Sequence, residues 1–562
     1  MTTSREVAGP QTVRTIGDDA ARSGAERASS VAQLDRPGDL GYARDSLPPT
    51  LTALAVGVVL LALLPLAYLL VRAAGASPAA WGLLLQPRVL AIVANSVLLT
   101  LAVTTASIAL ALPLAWLTTV TDLPGRRAWT VLTALPLVIP SYVGAFAVLA
   151  VFGPRGALQE LLAPLGVERL PEIYGFFGAW FTLTLFTYPY VLLTLRGAWL
   201  RLDGSLEDAA RILGHGPWSV WWRVTLPHLR PAIAAGGLLV ALYTLSDFGA
   251  VSLMRFNAFT QAIFVQYRSS FDRSLAALLA LVLVAFTLAL LWAEQRTRGR
   301  ARTSRAGSGS PRPVRQVVLG PWRWPALALV AGVVALGVGL PVGVSALWGV
   351  RSWATGESLT PLLRPMAHSL TAAGLAALAT TAAALPIALL AARYRHPLVT
   401  WLERGSYVGN GLPGITIALS LVFFGARYAP FLYQTLPLLI FGYAVRFLPE
   451  AVGSSRASLL QVSPRLEEAA RGLGLSPWRA WWRVTWPLAR PGIAAGAALV
   501  FLTVMKELPI TLLLGPTGFK TLATEIWSAT AEAFYARAAV PALLLVLASS
   551  LSIGLLLKEH ER

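Results

Sequence analysis

The chain alternates long apolar runs with shorter polar breaks. Runs of about 20 residues, the length that crosses a bilayer core, occur at 51–71, 96–118, 129–151, 175–197, 232–253, 274–293, 325–347, 369–391, 406–425, 431–449, 493–513 and 538–557. The pattern predicts an all-α polytopic membrane protein of about twelve spanning helices. Prolines inside the runs (Pro113, Pro136, Pro140, Pro189, Pro386, Pro413, Pro509) do not oppose this, because membrane helices tolerate them. Residues 1–48 are polar, mixed in charge and without an apolar core segment. They are expected to form a disordered cytoplasmic tail, not a secretory signal.

Composition sharpens the class. Charged residues make up 13% and hydrophobic residues 56%, against about 25% charged in soluble proteins. That excludes a large soluble enzyme. The net charge of +19 would suit a nucleic-acid partner only in a far more polar chain, so none is expected. The charge reads instead as orientation. With the N-terminus inside, 33 of the 46 Lys and Arg fall in cytoplasmic segments, 12 fall opposite, and Lys506 lies in a span. The positive-inside rule then places both termini in the cytoplasm. There is no Cys and there are five His, which argues against disulfides, Cys-ligated metals and a dense metal centre.

An internal repeat organises the chain. Residues 206–236 (LEDAARILGHGPWSVWWRVTLPHLRPAIAAG) match 466–496 (LEEAARGLGLSPWRAWWRVTWPLARPGIAAG) at a constant offset of 260, with 21 of 31 positions identical. Asn95-Ser96 and His368-Ser369 each open an apolar run that reaches a Leu-Pro, and Pro136 and Pro413 sit in matching contexts in the next run. The chain therefore divides into a tail (1–48), a first half (49–293) with a loop at 203–231, an Arg-rich linker (294–324) and a second half (325–562) with a loop at 463–491. Each half has six spans. The repeats are parallel, so each presents its loop on the same side.

Each loop begins with a short helix that has acids in its first turn and ends at Gly214 or Gly474. A second segment opens at Pro217 or Pro477 and closes at Val-Thr-x-Pro. A helix–turn–helix lying on the membrane face is expected, its Ala pair allowing close approach by a partner.

This pattern resembles the cytoplasmic-loop signature of membrane subunits of binding-protein-dependent ABC importers: Glu-Ala-Ala, three residues, Gly, nine residues, Ile-x-Leu-Pro. The second copy supplies Glu468, Ala469, Ala470, Gly474, Val484 and Pro487, with Trp486 where Leu is usual. The first supplies Asp208, Ala209, Ala210, Gly214, Val224, Leu226 and Pro227, with Asp in place of Glu. The resemblance covers roughly residues 50–557. It implies the type I importer fold, an inner-membrane location, and loops that dock on two cytoplasmic ATP-binding subunits. It also implies a binding protein that delivers substrate. ATP and Mg would be used by the partner subunit, and no cofactor is expected in this chain. Since one chain carries both loops, no second membrane subunit is expected. The nearest approach to a phosphate-binding loop, Gly515–Thr521, lacks the Gly directly before Lys520 and reads as a turn.

Ionisable residues within spans point to function by default. Asp247 in span five pairs with Glu507 in span eleven at the same offset of 260, beside Lys506. They are candidates for a translocation pathway or gate, or for a structural network in which Lys506 pairs with Asp247 or Glu507. Arg446 and Glu450 fall near the cytoplasmic end of span ten. The fused halves and the Lys-Glu-Leu-Pro-x-Thr-Leu-Leu-Leu stretch resemble ferric-iron permeases most. Thiamine permeases share the layout. The alternative of another class is an ion-coupled secondary transporter, which has no need of twin docking loops.

Overall fold

The computed structural model describes residues 47–154, 156–167, 169–269, 274–298, 316–354 and 360–560. Nearly all of the expected tail and the central part of the linker lie outside them. Among the described residues the fold is helical, with one isolated bridge between Thr121 and Val317.

The first half runs through α1 (Pro49–Ala74), α2 (Pro87–Val120), α3 (Ser141–Phe152), α4 (Phe176–Leu200), α5 (Gly204–Ile212), α6 (Leu226–Ser246), α7 (Phe259–Ser269) and α8 (Ser274–Arg298). The second runs through α9 (Arg323–Val334) and α10 (Leu340–Ala354), joined by a π turn, then α11 (Thr360–Arg393), α12 (Gly414–Tyr428), α13 (Leu436–Gln461), α14 (Pro464–Gly472), α15 (Trp486–Met505), α16 (Leu522–Ala531) and α17 (Tyr535–His560). Among the described residues ten helical stretches are long and apolar enough to cross a membrane. Two shorter apolar helices, Gly414–Tyr428 and Tyr535–Ser549, stand at the remaining span positions.

Two of the expected spans are interrupted in each half. The third breaks where Pro140 and Pro413 precede α3 and α12. These two prolines are the structural equivalents, not Pro136 and Pro413, because both sit at the N-cap and fit an extended backbone there. The fifth and eleventh spans stop at Asp247 and at Lys506–Leu508, then restart as short helices Gly249–Leu253 and Pro509–Leu514.

Each half has a core of three long helices. Gly236 on α6 and Gly496 on α15, one repeat apart, lie against Thr194 on α4 and Ser454 on α13, and a Cβ on either glycine would overlap the facing side-chain oxygen. Small residues let membrane helices approach this closely. At the end away from the repeated loops, Ser96 Oγ accepts from Phe259 N (2.9 Å) and Ser369 Oγ from Leu522 N (2.8 Å). The matching Ser residues thus pin the N-terminal ends of α7 and α16.

The first helix of each half reaches across to the other. Tyr68 on α1 packs on Phe424 and Tyr428 of α12 at ring distances of 5.8 and 5.9 Å. Arg72 lies 4.5 Å from the Phe423 ring centroid. The π turn before α10 sets Gly337 against Pro136 and Leu185 of the first half. The end of the linker is fastened too: Val317 N donates to Val120 O (2.9 Å) and Leu319 N to Asp122 Oδ1 (2.8 Å).

Candidate functional site: two repeated loops and a polar seam

The two repeated loops fold alike. In each, α5 or α14 ends in a left-handed glycine, Gly214 (φ 84°) or Gly474 (φ 89°). His215 N bonds Ala210 O (3.1 Å), and Leu475 N bonds Ala470 O (3.2 Å). This is the six-to-one closure that favours glycine at that place. The adjacent acids divide their work. Glu207 and Glu467 turn inward and accept from Thr225 Oγ1 (2.7 Å) and Thr485 Oγ1 (3.2 Å). Asp208 and Glu468 are exposed, as are Ala209 and Ala469. Only one alanine of each pair faces out, since Ala210 and Ala470 are buried in their own loops. At the turn Ile212, Leu213 and Leu473 are more than three-quarters exposed (86, 78 and 87%). The first loop thus bares two adjacent apolar side chains at its turn and the second bares one.

The expected helix–turn–helix differs in its second segment, which is the beginning of the next span. Helical chain runs without a break over Pro217–Ser246 and Pro477–Met505. Pro227 and Pro487 lie inside it. A proline there removes a hydrogen bond and crowds the carbonyl four residues back. Both helices widen to a π turn just before it, over Trp221–Thr225 and Trp481–Thr485, and this gives the ring room.

Between the halves lies a polar seam at the interrupted spans. Asp247 Oδ1 accepts from Ala250 N (2.9 Å) and Val251 N (3.3 Å), and its other oxygen accepts from Ser141 Oγ. Glu507 Oε1 accepts from Ile510 N (3.4 Å), and Glu507 pairs with Arg446 at 3.4 Å. Each acid therefore caps the helix that restarts after the break. Lys506 pairs with neither. One turn on from Arg446, Glu450 accepts from Thr503 Oγ1 (3.2 Å). Tyr142 OH donates to Lys506 O (3.3 Å), and Tyr190 and Tyr243 pack together at 5.8 Å.

Arg446 and Glu450 are not at a helix end. They sit mid-way along α13, which continues to Gln461. Three seam tyrosines, Tyr142, Tyr190 and Tyr243, escaped the sequence reading. The repeat offset held the signal, since 260 residues separate Tyr190 from Glu450 and Tyr243 from Thr503. Gly515–Thr521 is a turn whose Lys520 lies 3.5 Å from Glu525 and whose Thr521 caps α16.

A family described as the binding-protein-dependent transport system inner membrane component matches residues 107–302 and 384–558. The chain belongs to this family. It is thus an ABC importer permease with the family domain present twice. It is 35% identical over 516 residues to "Fe(3+)-transport system permease protein FbpB 2" of Haemophilus influenzae, covering 91% of this chain and 98% of that one. It is 27% identical to "Probable ABC transporter permease protein y4fN" of Sinorhizobium fredii, over 77% of this chain and 81% of that one. The "Sulfate transport system permease protein CysT" of Escherichia coli matches at 29% over 86% of its own length but only 42% of this permease. That relative corresponds to about one half. Like these relatives, the chain is a membrane permease subunit.

Proposed function

We propose that this permease carries ferric iron across the inner membrane, driven by ATP hydrolysed on two separate cytoplasmic ATP-binding subunits. A binding protein delivers the iron from the other side, and both termini lie in the cytoplasm. The observation that carries the cargo is the 35% identity across nearly the whole length of an Fe(3+) permease. The docking reading rests on the repeated loops, each with an exposed acid, an exposed alanine and a bare apolar turn.

Asp208, Ala209 and Gly214 in one loop, and Glu468, Ala469 and Gly474 in the other, form the docking faces. Ala210, Ala470, Pro227 and Pro487 shape them from behind. Closure of the ATP-binding pair favours one of two packings of the halves. The change reaches the seam along α6 and α15, which run from the loops to the breaks at Asp247 and Glu507. Lys506 and Glu450, with the capped acids, form the gate through which cargo passes.

The test is uptake of radiolabelled ferric iron by proteoliposomes holding the permease and its ATPase, with the binding protein outside. Uptake that requires both ATP and binding protein is expected. Uptake driven by an ion gradient without ATP, or of thiamine in place of iron, would overturn the reading.

A further inference from the structure

The docking helix and the span it must move are joined by a soft connection. Only residues 213–216 separate α5 from the helical chain that starts at Pro217. They include Gly214 in the left-handed region and Gly216, and a Cβ added to either would meet nothing within 4 Å. The second loop repeats this with Gly474. A force applied to α5 or α14 would swivel the helix on that glycine unless a side chain fastened it.

One polar fastening is present at the same place in both copies. Glu207 bonds Thr225 at 2.7 Å and Glu467 bonds Thr485 at 3.2 Å. The bonds are shielded: Glu207 has 12% of its side chain exposed, and Thr225 and Thr485 are buried. In each copy the threonine is the last residue of the π turn. A π turn inside an α-helix commonly marks a functional position. Here it sits directly below α6 or α15, whose far end is the break at the seam. Burial of Ala210 and Ala470 closes the same contact from the apolar side.

We propose that Glu207 and Glu467, adjacent to the signature acids and distinct from them, are positioning residues that transmit the ATPase stroke. Bonded to Thr225 and Thr485, they convert each docking loop and the helix above it into one rigid bracket. The exposed neighbours Asp208 and Glu468 remain free to meet the partner. This rests on the docking reading above.

The test uses the full permease–ATPase complex with the paired variant Thr225→Val, Thr485→Val, which keeps side-chain shape and deletes both hydroxyls. Recovery of the ATPase with the permease reports docking, and iron moved per ATP hydrolysed reports transmission. The variant is expected to recover the ATPase in normal yield and to hydrolyse ATP, with iron moved per ATP down about tenfold, as loss of charge-assisted hydrogen bonds would give. Thr225→Ser with Thr485→Ser should restore the wild-type ratio. An unchanged ratio in the valine variant would overturn the proposal. So would loss of the complex in the valine but not the serine variant, which would assign the bonds to shaping the docking face. If the wild-type permease recovers no ATPase, the docking reading itself fails.

Discussion

The first half holds Phe186, Tyr190, Tyr243 and Ser246 where the second half holds Arg446, Glu450, Thr503 and Lys506. The repeated loops, by contrast, keep a pair of adjacent acids, the turn glycine (Gly214 and Gly474) and the Trp-Trp-Arg run. The copies have stayed alike in the loops proposed to meet the same kind of partner. They have diverged where they face each other. One wall of the seam is mainly aromatic and the other mainly charged.

The seam also shows how divergence was balanced. Ser141 and Asp247 in the first half occupy the places of Gly414 and Glu507 in the second. A short acid meets a side-chain hydroxyl in one case. In the other a longer acid extends into space that a side chain would fill, since a Cβ on Gly414 would lie 2.7 Å from Glu507 Oε1.

The largest expected effect is on the charged wall. Arg446→Ala strips buried Glu507 of its ion pair and should destabilise the permease by about 3–5 kcal/mol. Adding Glu507→Gln should recover part of this, as read by thermal unfolding in detergent. If Glu507→Gln recovered none of the loss, the charge reading of this wall would fail.

A smaller effect tests the balanced exchange. Gly414→Ser and Glu507→Asp should each destabilise alone. Together they rebuild the arrangement of the first half and should be better than additive by about 1–2 kcal/mol. Simple additivity would mean that the paired difference has no structural meaning.

The smallest effect on stability is expected at Lys506, which makes no close ion pair with Asp247 or Glu507. Lys506→Ala should lose less stability than Arg446→Ala, as read by thermal unfolding in detergent, while its iron uptake changes clearly. Normal uptake would remove Lys506 from the pathway.

Much of this was legible in the sequence, for identifiable reasons. Spans announce themselves because a bilayer demands long apolar runs, and the docking loops because two copies make chance implausible. The end of α13 was lost because Arg446, Glu450, Ser454 and Arg456 lower the hydropathy of a helix that continues past them. The breaks at Pro140 and Pro413 were hidden because membrane helices tolerate proline, so its presence does not announce an interruption. The crossing of α1 onto α12 left no trace, since a Tyr68 facing Phe424 and a Tyr68 facing lipid look the same in sequence. The bond from Glu207 to Thr225 spans 18 residues, and both residues recur in the repeat. Recurrence marked them, but only the fold shows that they touch.

The central claim is that one chain supplies both docking loops. Native mass spectrometry of the purified permease–ATPase complex tests it most directly. The account predicts one copy of this chain for each pair of ATP-binding subunits. Two copies per pair would contradict it.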